Sequence, residues 1–88
     1  MTRKQFAHKN GFSTYHEMQT SSRVVFKDTS SWLVTLTEYG FLAWIDTSLE
    51  KPLGYFDSFE LAKQEILDAV NQAFDTTKSH QNLINLKL

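Results

Sequence analysis

The stretch WLVTLTEYGFLAWIDT, residues 32–47, decides the fold of this chain. Residues 32–38 are rich in the β-branched, aliphatic and aromatic side chains that suit strands, and residues 41–47 repeat that composition. Gly40 separates the two runs, at a position where a tight turn needs a residue that adopts a positive φ angle. The stretch is therefore predicted to form an antiparallel β-hairpin.

Side chains alternate between the two faces of such a hairpin. One face is purely apolar and is predicted to form the core; it holds Trp32, Val34, Leu36, Phe41, Ala43 and Ile45. The other face also carries large apolar side chains, Leu33, Leu42 and Trp44, beside Tyr39. This second face is more apolar than the solvated face of a single sheet usually is. Another element, or a second copy of the chain, is expected to cover it.

The neighbouring segments extend the hairpin into a larger unit. Residues 23–27 (RVVFK) have strand composition, and Pro52 with Gly54 restricts residues 53–57 to a short edge strand or an extended segment leading into the helix. The prediction is an α+β fold with an antiparallel sheet of three to four strands (about residues 23–57) packed on one main C-terminal helix (residues 58–75). A short N-terminal helical segment and an apolar C-terminal tail complete a single small domain over residues 1–88.

The main helix has a marked start. Asp57 followed by Glu60 fits the capping-box pattern, and Phe56 is expected to pack on Leu61 as a hydrophobic staple. Apolar residues then recur with helical spacing up to Phe74 and predict a stripe that faces the sheet. The opposite side of the helix is acidic, with Glu65 and Asp68 among its side chains.

Composition limits what the chain can use for stability. It has 88 residues and no cysteine, so neither disulfides nor thiolate metal sites can supplement a small core, and self-association is a natural alternative. The basic N-terminus is not followed by the apolar run of a secretory signal, and no run is long enough to span a membrane. We expect a cytoplasmic protein without a membrane partner.

No motif indicates catalysis, a cofactor or a metal. The three histidines His8, His16 and His80 are not spaced as ligands, and no serine stands in a nucleophile-elbow motif. The three glycines are too far apart in the sequence to form a phosphate-binding loop. The expectation is a non-enzymatic protein that needs no cofactor.

Three interaction hypotheses remain. The first is a protein that binds a second copy of itself, as a homodimer, or another protein through the second sheet face and the apolar tail; its residues are Leu33, Tyr39, Leu42, Trp44, Ile84, Leu86 and Leu88. Another is a regulatory or inhibitor protein that binds a larger assembly through the acidic side of the main helix. The alternative is a nucleic-acid-binding accessory protein, because bases outnumber acids in residues 1–30 although the net charge of the whole chain is −1. Its candidate contacts are Arg3, Lys4, Lys9, Arg23 and Lys27.

Overall fold

The computed structural model describes the backbone of residues 1–86 and the side chains of residues 1–73. Along the chain the elements are α1 (Arg3–Lys9), α2 (Tyr15–Thr20), β1 (Ser22–Lys27), β2 (Ser31–Thr37), β3 (Gly40–Ile45), β4 (Gly54–Phe56) and α3 (Phe59–Leu86). This is the predicted α+β architecture, with the N-terminal helical segment divided into two short helices. No helix within the described residues is long and apolar enough to cross a membrane.

The four strands form one antiparallel sheet in the order β1-β2-β3-β4. The predicted hairpin is confirmed: β2 and β3 pair from Trp32 opposite Ile45 to Thr37 opposite Gly40. Gly40 has a φ angle of 119°, and a Cβ atom there would lie 2.8 Å from the carbonyl oxygen of Phe56. Only glycine fits this turn, because any side chain would strain the backbone and collide with β4.

Helix α3 covers one face of the sheet, which we call the α3 face. Ala62, Ile66 and Val70 follow one another at four-residue intervals and are buried against Val34 and Ala43. This spacing keeps the three side chains on one side of a helix. Burial of each of the two larger side chains stabilises the fold by about 1.5–3 kcal/mol.

The start of α3 differs from the prediction by one residue. Ser58 is the cap: its Oγ accepts a hydrogen bond from the Leu61 backbone N–H at 3.1 Å, and its carbonyl accepts from Ala62. Asp57 and Ser58 are both good cap residues, so the pattern alone could not separate them. With Ser58 as the cap, Leu61 lies one position before the staple position, and its side chain is 54% exposed.

The end of α3 also differs from the prediction. The helix continues to Leu86 instead of ending near residue 75, so most of the segment predicted as an apolar tail belongs to it. Residues 76–86 contain neither glycine nor proline, the residues that most often end a helix. The apolar stripe that predicted the helix reached only to Phe74, and the two threonines that follow Asp75 have only slightly unfavourable helix propensity.

The two N-terminal helices cover the opposite face of the sheet, which we call the α1/α2 face. The Thr2 side chain and Gln5 form a capping box at the start of α1, and Thr14 accepts a hydrogen bond from the Glu17 N–H at the start of α2. Apolar side chains of both helices are buried on the sheet. The sheet therefore has helices on both faces, and the element expected to cover the second face belongs to the same chain.

Candidate interaction surfaces

Three of the residues predicted for an interaction surface lie in the interior of the protein. Leu33, Leu42 and Trp44 are at most 5% exposed, under Phe6 and Ala7 of α1 and Met18 of α2. The ring of Trp44 lies 5.0 Å from that of Phe6 and 6.0 Å from that of Tyr15, measured between centroids. These three side chains are not available at the surface of the folded chain.

A chain of hydrogen bonds joins Trp44 to the α2 helix. The Trp44 Nε1–H group donates to Thr35 Oγ1 at 2.8 Å, Thr35 Oγ1 lies 2.5 Å from Ser22 Oγ, and Ser22 donates to the Met18 carbonyl at 2.6 Å. Each polar group of this buried path has a partner, which is the condition under which such networks stabilise a core. The path links β3, β2 and β1 to α2 through side-chain hydrogen bonds.

Of the four predicted surface residues whose side chains the structure describes, Tyr39 is the one that stays exposed. It is 58% exposed in the β2–β3 turn, and its ring packs edge-on against Tyr55 of β4, with centroids 5.7 Å apart. The Tyr55 hydroxyl donates to Oδ1 of the buried Asn10 at 2.6 Å, which ties β4 to the end of α1. Hydrogen bonding with the Glu38 carboxylate raises the pKa of Tyr39, and burial raises the pKa of Tyr55.

More apolar side chains lie at the same end of the sheet. On the α3 face Leu36 of β2 is next to Phe41 of β3, and Phe41 is next to Phe56 of β4. Leu36 is 62% exposed although the sequence placed it in the core, because α3 leaves it largely uncovered. We call this end of the sheet the hairpin-end surface; it has Leu36, Phe41 and Phe56 on the α3 face and Tyr39 and Tyr55 on the α1/α2 face.

The predicted contribution of the C-terminal residues lies outside what the structure describes. Ile84 and Leu86 fall within α3, beyond the last described side chain, and Leu88 lies beyond the described backbone.

The five basic residues proposed as nucleic-acid contacts are exposed but do not form one surface. The guanidinium of Arg3 lies 5.2 Å from the centre of the Tyr15 ring, on the α1/α2 side of the sheet. The guanidinium of Arg23 lies 4.2 Å from the centre of the Phe59 ring, on the α3 side. Lys4 and Lys9 belong to α1. Lys27 lies opposite Ser31 in the sheet, and Ser31 is on the same face as Leu33, so Lys27 is also on the α1/α2 side.

The exposed side of α3 is acidic, as predicted. Glu65 and Asp68 point away from the sheet with Gln64, whose amide donates to Asp68 at 2.8 Å. Within the part of the chain that the structure describes, no three potential metal ligands lie close enough to hold an ion. Comparison with protein-family models, curated proteins and solved structures gives no match.

Proposed function

We propose that this chain is a small non-enzymatic interaction protein and that the hairpin-end surface is where it binds a second copy of itself. One observation supports the site. Leu36, Tyr39 and Tyr55, each at least 40% exposed, gather at one end of a sheet whose other large apolar side chains are mostly covered by helices. Exposed apolar groups that cluster in this way are typical of interfaces, and tyrosine is common among the residues that dominate binding.

The composition of the hairpin-end surface favours a copy of itself over a charged partner. Its five members carry no charge, and the charged side chains next to them in the sequence are Glu38 in the β2–β3 turn and Asp57 after β4. The centres of interfaces are depleted in charged residues, and a symmetric dimer brings the same patch of both subunits together. A chain of 88 residues without cysteine also gains stability from the apolar area that association buries.

Sedimentation equilibrium in the micromolar range tests this proposal. The expected mass is that of a dimer for the native chain and of a monomer for Leu36→Asp and Tyr39→Asp, since each places a charge in the interface. Leu61→Asp is the matched control, because Leu61 is similarly exposed but lies on the outer side of α3. Its mass should stay dimeric, and circular dichroism should show that all variants are folded.

A native chain that stays monomeric throughout this range would refute the dimer. If Leu61→Asp also sedimented as a monomer, the hairpin-end surface would not be the dimer interface. If a different protein binds the hairpin-end surface in place of the second copy, the chain is a regulatory or inhibitory subunit, and Leu36→Asp should abolish that binding.

A further inference from the structure

The α1/α2 side of the molecule has a charge distribution of its own. Four basic side chains lie on this side of the sheet: Arg3, Lys4, Lys9 and Lys27, which we call the basic surface. Lys4, Lys9 and Lys27 are exposed, and none of the three forms an ion pair with a described residue. Their charges are therefore available to an anionic partner.

Two acids on the same side are already engaged. Glu50 pairs with the amino group of Met1, and Oδ1 of Asp46 accepts a hydrogen bond from the Ser31 N–H at 3.0 Å. Glu17 in α2 is the exposed acid that remains near the basic helix, while Asp28 and Glu38 lie in the turns at the two ends of β2. The potential of the basic surface is reduced by Glu17 and by Asp46, whose charge the Ser31 N–H does not neutralise, but it is not cancelled.

The acidic side of α3 does not neutralise the basic surface. The sheet lies between α1 and α3, so the axes of the two helices are farther apart than the roughly 8–10 Å of helices in direct contact. At physiological ionic strength the screening length is about 8 Å. A net charge of −1 for the whole chain therefore does not prevent local attraction of an anion to the α1/α2 side.

We propose that the basic surface binds the phosphate backbone of a nucleic acid, with α1 lying against it. Lys4 and Lys9 are five residues apart, so they lie about 7.5 Å apart along the helix axis and about 140° apart around it. They flank the buried Phe6 and Ala7 on opposite sides of α1, so each suits a different phosphate. The guanidinium of Arg3, held over the Tyr15 ring, adds N–H donors suited to a phosphate.

A membrane surface fits these residues less well. An interfacial helix needs an apolar stripe that can enter the lipid. The apolar residues of α1, Phe6 and Ala7, are buried in the core of the protein instead. Among the exposed apolar side chains on this side, Met1 and Val24 are isolated from each other, and Tyr39 and Tyr55 belong to the hairpin-end surface.

Anisotropy of a labelled random-sequence DNA duplex, titrated with the full chain, tests the proposal. With two to four phosphate contacts, affinity should fall roughly 10- to 150-fold between about 50 and 200 mM salt. Lys4→Glu and Lys9→Glu should each weaken binding by at least about eightfold near 0.1 M salt, the contribution of one phosphate contact, and lower the salt slope by about one. Glu17→Gln should strengthen binding.

Lys63→Glu is the matched control, because it makes the same change of charge on the α3 side of the sheet. Its affinity should stay within about twofold of native, with thermal unfolding showing that each variant is folded. The proposal is overturned if the native chain does not bind DNA at about 50 mM salt. Equal weakening by Lys63→Glu, or binding to vesicles containing phosphatidylserine but not to DNA, would also overturn it. None of these outcomes depends on the hairpin-end surface.

Discussion

Thr35 is a buried polar residue whose hydroxyl group connects the core of the α1/α2 face. It accepts the Trp44 indole N–H and contacts Ser22, so Thr35→Val, which keeps the shape of the side chain, leaves the indole donor without a partner. We expect a loss of about 1–3 kcal/mol in the free energy of unfolding, measured by urea titration. Thr29→Val, at an exposed position, is the control and should change stability by less than about 0.5 kcal/mol.

Two tyrosines on the α1/α2 face differ in what their hydroxyl groups contact. The Tyr15 hydroxyl is buried without a hydrogen-bond partner in the described structure, and the nearby Gln19 side chain does not reach bonding geometry. Tyr15→Phe should therefore leave stability unchanged or raise it. Tyr55→Phe should lower it by about 1–3 kcal/mol, because Asn10 then loses its donor in a buried position. Stability losses in the opposite order would contradict these assignments.

Burial also raises the pKa of Tyr15 above its usual value of 10.0, with the nearby Asp46 acting in the same direction and Arg3 opposing it. The folded state therefore holds this proton at a pH where the unfolded state has lost it. The pKa difference therefore stabilises the folded state; this stabilisation is complete below pH 10 and is lost as the pH rises through the higher pKa of the folded state. As the pH rises from neutral to above 10, Tyr15→Phe should lose less stability than native protein, and equal losses would show that Tyr15 does not contribute.

Among the elements, the start of α3 gives the sharpest test of local structure. Ser58→Ala removes the oxygen that accepts the Leu61 N–H and should cost about 1 kcal/mol. Asp57→Ala lies one residue before the cap and should cost only the weak attraction of its charge for the helix N-terminus, about 0.3–1 kcal/mol at low salt and less at high salt. If Asp57→Ala instead lost more stability than this, and the loss did not depend on salt, Asp57 would be the cap residue.

The α1 helix is stabilised by its contact with the sheet. Seven residues are too few for a stable isolated helix. Phe6→Ala removes a ring in contact with Trp44 and should cost about 3–5 kcal/mol. Leu61→Ala, at an exposed position on α3, should change the free energy of unfolding by less than about 0.5 kcal/mol. If Phe6→Ala and Leu61→Ala lost similar amounts of stability, α1 would not pack on the sheet as described.

Local sequence patterns were sufficient for some elements and not for others. Alternation around Gly40 identified the hairpin, and four-residue spacing identified the side of α3 that faces the sheet. Neither pattern predicts where another element packs, so only the structure shows that α1 and α2 lie over Trp44. For the same reason Leu36 has the alternation of a core residue but lies where α3 leaves the sheet exposed.

At the scale of the whole molecule, helices on both faces separate the charges and limit the exposed apolar surface. The alternation marked Tyr39 for the surface, but it did not distinguish Tyr39 from Leu42 and Trp44, which the N-terminal helices cover. Likewise, counting bases along residues 1–30 combined Arg3 with Arg23, which the sheet places on opposite sides. Both candidate surfaces depend on long-range packing, which a single sequence shows only in part.

Helices α1 and α2 of the same chain cover the second face of the sheet. Acrylamide quenching of Trp44 fluorescence in a Trp32→Phe variant, at a dilution where sedimentation shows a monomer, measures this cover. We expect Trp44, with 0% exposure, to be protected in the monomer and to become accessible in Phe6→Asp. A freely quenched Trp44 in the monomer that becomes protected only on association would contradict it, because a second copy would then be the cover.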